Sequence, residues 1–224
     1  MKTTHAVGVE RMGSVADEWY RTGAWDEAAR VDFEARLARA RSSNQQQYLR
    51  IKGESLLAAG KVDGARALLE RAADFPDGYF FQTVAAWESL ASMAAQRGDR
   101  VTAETLYRRI LAEQPSLSGT TGSVEISLAE LLLDTGRAEL RDEALVLLNA
   151  WINRPGLKFD NQLFRWYMDL IRVAQTTGDQ QTARRAATTA LALAERGPQL
   201  ARHPEVGLVT TDKATLKRLR QLAK

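Results

Sequence analysis

Trp87-Glu88-Ser89-Leu90-Ala91, then Gly98-Asp99, then Ala103-Glu104-Thr105-Leu106-Tyr107 and a closing Pro115: this stretch decides the fold. Trp87, Leu90, Ala91 and Ala94 recur at i, i+3, i+4 and i+7, the apolar stripe of an amphipathic helix. That helix is expected over 81–97. Gly98 supplies the left-handed residue that closes a helix without a Cβ penalty. Asp99 is placed to cap the next helix and to favour its N-terminal dipole. Ala103, Leu106, Tyr107 and Ile110 share one face of that second helix. Pro115 stops it, because proline cannot continue a helix interior.

The same turn-and-alanine signature recurs along the chain. Gly23 is followed by Ala28, Gly60 by Ala65, Gly98 by Ala103 and Gly178 by Ala183. Gly136 is followed by Ala144, as though three residues were inserted around Ala138 to Arg141. The glycine spacings are 37, 38, 38 and 42. A period in this range signals stacked helical hairpins, which use extended surfaces for binding.

The order Trp87, Leu90, Ala91, Gly98, Ala103, Tyr107, Pro115 resembles a tetratricopeptide repeat. In that reading Ala91 and Ala103 let the two helices approach, and Trp87, Leu90 and Tyr107 fill the space around them. The second unit matches through Gly53, Gly60, Ala65, Leu69 and Ala72, with Lys52 where a core leucine is expected. The fourth matches through Leu128, Ala129, Gly136, Ala144 and Leu148, and the fifth through Tyr167, Leu170, Gly178, Ala183 and Ala190. The first keeps Ala16, Gly23 and Ala28 but places Asp32 where the family has a large apolar residue. The resemblance covers residues 10 to 198, at spacings longer than the family's own. It implies an all-α, right-handed α-solenoid of about five antiparallel hairpins.

Helices are expected at 10–22, 25–41, 44–59, 62–74, 81–97, 100–113, 122–135, 139–153, 160–177 and 180–196. They pair as hairpins near 10–41, 44–74, 81–113, 122–153 and 160–196, forming a repeat domain over 1–198. Residues 199–224 read as a connector and a final basic capping helix of the same domain. Leu216, Leu219, Leu222 and Ala223 lie on one face of that helix, and Thr211 or Asp212 is its cap. Repeat arrays need such an atypical end with a polar outer face.

Composition narrows the chemistry. The 224 residues are 45% hydrophobic and 26% charged, as in ordinary soluble proteins. No cysteine is present, which removes disulfides and thiolate chemistry and fits a reducing, cytoplasmic setting. The first nine residues are too short and polar for a signal-peptide core. No apolar run is long enough to cross a membrane. The net charge is +3, yet residues 199–224 alone carry +4, so the preceding body totals −1. A uniformly basic nucleic-acid-binding body is therefore disfavoured.

Nothing in the sequence assembles a catalyst. His5 and His203 are separated by nearly the whole chain, and neither has metal-ligand spacing. Gly53 to Gly60-Lys61 fails as a phosphate loop, with six intervening residues and Val62 where Ser or Thr is needed. The pairs Asp17-Glu18 and Asp26-Glu27 fit helix first turns. The expectation is a non-enzyme that needs no metal and no cofactor.

A surface remains. The resemblance implies that the first helix of each hairpin lines a concave groove for a protein or peptide partner. Its non-core positions are Gln47, Arg50, Glu54, Glu88, Ser92, Ser127, Glu130, Arg165, Asp169 and Arg172. No Asn stands among them, so a family-type clamp for a peptide carboxylate is disfavoured. Trp25 and Trp166 are the aromatics whose exposure would mark a contact. Nucleic-acid binding or regulation through Lys213, Lys217, Arg218 and Arg220 is the alternative function. Homodimer pairing through the divergent first hairpin is a separate possibility.

Overall fold

The computed structural model describes residues 18–224. These contain a short 3-10 turn, Trp19–Arg21, and ten α-helices, with no strand among them. The helices are α1 (Glu27–Arg39), α2 (Ser42–Ala58), α3 (Val62–Ala73), α4 (Phe80–Gln96), α5 (Arg100–Glu113), α6 (Val124–Leu133), α7 (Ala138–Asn153), α8 (Asp160–Thr177), α9 (Gln180–Ala194) and α10 (Lys213–Leu222). The chain divides into a first unit that ends at Ala86 and a second unit, Trp87–Lys224.

Four repeated turns form as their glycines demand. Gly60, Gly98, Gly136 and Gly178 all have φ between +70° and +80°, where a Cβ is strained. Aspartates start the helices that follow two of them. Asp99 accepts from the Thr102 amide at 3.1 Å and Asp179 from the Thr182 amide at 2.9 Å. Asp212 does the same for Thr215 at 2.7 Å, which fixes Asp212 as the cap of α10. The inserted residues after Gly136 become the first turn of α7, which begins at Ala138.

Gly23 departs from this pattern. Its backbone is not left-handed, and a Cβ there would lie 2.7 Å from the Ala59 Cβ. Close approach, not turn geometry, requires this glycine. Residues 10–17 of the helix expected at 10–22 lie outside the described residues. Beyond them the chain makes only the Trp19–Arg21 turn, and Thr22 is extended. Lys52 supplies the reason. Its stem is buried, and its ammonium donates to Thr22 O at 2.7 Å, Thr22 Oγ1 at 2.8 Å and Ala24 O at 3.1 Å. The same ammonium lies over Trp25 and Phe33 at 5.6 and 5.7 Å. The lysine standing at a leucine position thus clips an extended segment onto α2.

In the first unit α2 and α3 form the central pair, with Leu49, Leu56, Ala65, Leu68, Leu69 and Ala72 buried. In the second unit α6 packs on α7 and α8 on α9. Ala91, Ala103, Tyr107 and Ile110 are buried, as the apolar stripes of α4 and α5 predict, and the Arg109 guanidinium covers the Trp87 ring at 3.8 Å. Leu219 of α10 completes an apolar cluster with Phe164, Ile171, Ala186, Ala187, Ala190 and Leu193.

Candidate functional site

The period seen in the sequence reappears in the side-chain bonds. In the first unit Gln46 bonds Thr83 and Arg71 bonds Glu34, each 37 residues apart. In the second, Arg108 and Glu143 are 35 apart, Arg165 and Glu130 are 35 apart, and Arg172 and Asp134 are 38 apart. Each bond joins helices, or their caps, two places apart in chain order.

The fullest set links α6 and α8. Gln162 donates to Thr121 O and Ser123 Oγ, both at 2.9 Å. Arg165 forks onto Glu130 at 2.8 and 2.6 Å and reaches Ser127 at 3.0 Å. Arg172 donates to Asp134 at 2.6 Å and to Asp169 at 3.3 Å. Partners on α6 advance as donors on α8 advance, so the two helices run in the same direction. Gln162, Arg165, Asp169 and Arg172 stand at i, i+3, i+7 and i+10, one stripe of α8. Glu88 of α4 holds the entry to α6 through the Thr121 amide and hydroxyl at 2.7 and 2.6 Å.

Electrostatics follow from this crowding. Asp169 is buried, and its Oδ2 has no hydrogen-bond partner. Burial, and then the Glu130 charge, push its carboxyl up to about 8 against the pull of Arg172 and Arg165. Burial pulls the Arg165 guanidinium down, but the Glu130 carboxylate more than offsets this and holds it above its ordinary value. Tyr107 is buried at the same place, and burial raises its phenol.

Seven of the ten expected groove residues therefore fall in the second unit. Glu130, Arg165 and Ser127 meet directly, as do Asp169 and Arg172, while Glu88 engages a loop. Ser92 is half-buried one turn beyond Glu88. In the first unit Gln47 is exposed on α2, and Arg50 bonds Glu54 at 2.6 Å as well as the buried Gln82. Most of these charges are spent on neighbouring repeats. Trp25 and Trp166 are partly buried, and the Trp166 indole donates to Leu148 O at 2.8 Å. Both are packing residues.

Several features lay outside the sequence reading. Asp134 is the main partner of Arg172, and Glu125 is a buried partner of Arg154. Opposite charges one period apart were the available signal. Tyr79, Phe80 and Phe81 form an exposed aromatic run at the start of α4. His5 lies outside the described residues, and His203 is exposed beside Glu205. Among the described residues no group of three or more His, Cys, Asp or Glu converges on a metal position. No described helix is long and apolar enough to cross a membrane. Among the described residues, open cavities of about 270 Å³ lie beside Gly178 and beside Gly78. The chain matches no family model, no curated protein and no solved structure.

Proposed function

We propose that the chain is a tetratricopeptide-like interaction module, wound as a right-handed solenoid, that binds a helix or extended segment of another protein without chemistry. The observation that carries this reading is the parallel alignment of α6 and α8 by bonds spaced one repeat apart. Such alignment repeats one face at regular intervals, which suits a partner that lies along it. The α6–α8 face is polar and charge-balanced, so a partner segment of mixed charge fits it better than a polyanion or a single carboxylate. A cytoplasmic location belongs to this proposal and fits the absence of cysteine.

Ser92 and Gln47 lie on first helices and make no ion pair. Val101 and Val146 lie on the second helices α5 and α7 and are 78% and 66% exposed. Arginine at Ser92 or Gln47 is expected to weaken retention of the native partner at least tenfold in affinity capture. Arginine at Val101 or Val146 is expected to leave it intact. Equal retention by all four variants would refute the face assignment.

A further inference from the structure

The last two helices differ in charge from the rest of the chain. Neither α9 (Gln180–Ala194) nor α10 (Lys213–Leu222) contains a carboxylate, while together they carry Arg184, Arg185, Lys213, Lys217, Arg218 and Arg220. All six are exposed. Among the described residues no carboxylate forms an ion pair with any of them. The contrast is with α5 to α8, where Arg108, Arg109, Arg165 and Arg172 are each matched to an acid.

The placement on α10 is regular. Lys213, Lys217 and Arg220 stand at i, i+4 and i+7, which sets them in one line along the helix, and Lys224 follows just beyond its end. The helical Cα atoms of the line span about 10 Å at the ordinary helix rise. The apolar residues face elsewhere: Leu219 is buried, and Leu222 and Ala223 pack against the same cluster. Arg184 of α9 shares an open cavity of about 270 Å³ with Leu222, which places another cation beside the end of α10.

Helix stability accounts for only part of the line. Arg220 is in the last turn, where the helix dipole favours a cation, but Lys213 is in the first turn, where it does not. Like charges at i, i+4 cost roughly 0.2–0.5 kcal/mol. Solvation alone would be served as well by mixed charges.

We propose that the α10 stripe, with Arg184, binds the phosphate backbone of a nucleic acid without reading its sequence. Interfacial helices need an apolar face for the bilayer, and α9 and α10 expose no large apolar side chain. A protein segment of mixed charge suits the balanced α6–α8 face, whereas this line carries one sign alone. Phosphate binding needs only cations, and a duplex offers one negative charge per about 1.7 Å of its axis. No exposed aromatic or amide-rich edge on α10 is placed to read bases, so the contact is electrostatic.

The test is fluorescence anisotropy of a labelled 20-base-pair duplex of mixed sequence, with the full chain, from 50 to 200 mM salt. Wild type is expected to bind with a log–log salt slope near −3 to −4, as about four phosphate contacts dictate. The variant Lys213→Gln, Lys217→Gln, Arg220→Gln, Lys224→Gln is expected to lose at least tenfold in affinity at 50 mM salt and most of that slope. Circular dichroism of this variant should match wild type, since all four side chains are exposed. A charge-matched control, Arg30→Gln, Arg41→Gln, Arg97→Gln, Arg100→Gln, is expected to bind as wild type. No wild-type binding, or equal losses in both variants, would overturn the proposal. Equal competition by polyglutamate, or tighter binding to vesicles of anionic phospholipid, would overturn the choice of nucleic acid.

Discussion

Asp169 is held between competing demands: Arg172 bonds one carboxylate oxygen, and the other is buried with no partner beside Glu130. Its carboxyl is raised to about 8 in the fold, against an ordinary value near 4 in the unfolded chain. The folded state therefore holds the extra proton between these limits. Stability from this group is full below pH 4, declines as pH rises towards 8, and is level above it. Asp169→Asn removes that titration. It is expected to flatten the decline and to raise the thermal midpoint at pH 8 by roughly 2–8 °C. A midpoint that falls equally at pH 5 and pH 8 would contradict this assignment. Lys52 makes a second residue-scale test. Lys52→Met keeps most of the volume but leaves the Thr22 and Ala24 carbonyls without their donor. About 1–2 kcal/mol should be lost, with faster amide exchange confined to residues 19–24. Lys52→Ala adds a cavity and should cost about 2–4 kcal/mol.

At the scale of elements, the turns, caps and apolar stripes were legible because each is a local decision. Gly98 and Asp99 specify an end and a start within two residues, and α4 and α5 lie within a few residues of their expected bounds. The first unit was less legible. Gly23 carries the same signature as Gly98, yet it answers to Ala59, 36 positions away and invisible to any local pattern. Lys52 looked like a defect in a core stripe, because its partners are carbonyls brought close only by folding. The groove residues were legible as positions on a face but not as bonds. Arg172 finds Asp134 only when two repeats stack. The two kinds of glycine predict different rescues. Gly23→Ala should be destabilising and substantially restored by Ala59→Gly, which removes the clashing Cβ. Gly98→Ala should cost about 1 kcal/mol through its positive φ, with no neighbouring substitution able to restore it. Chemical denaturation of the two single variants and the double variant separates these cases.

For the molecule as a whole, the proposed interaction role rests on the faces of α2, α4, α6 and α8. Each unit contributes such a face by itself: Gln47, Arg50 and Glu54 on α2 in the first, and Glu88 to Arg172 on α4, α6 and α8 in the second. In the second unit the interior charges of that face are balanced by their own neighbours. Binding should accordingly depend on shape and hydrogen bonding more than on net charge, and it should weaken only slightly between 50 and 200 mM salt. The basic stripe of α10 should show the opposite, steep dependence. The most direct measurement is site-specific photo-crosslinking in the native host. A photoreactive residue would be placed singly at Ser92, Gln47, Val101 or Val146. Adducts with a partner protein should form from Ser92 and from Gln47 and be absent from Val101 and Val146. Adducts formed mainly from Val101 and Val146 would contradict the first-helix face as the binding surface.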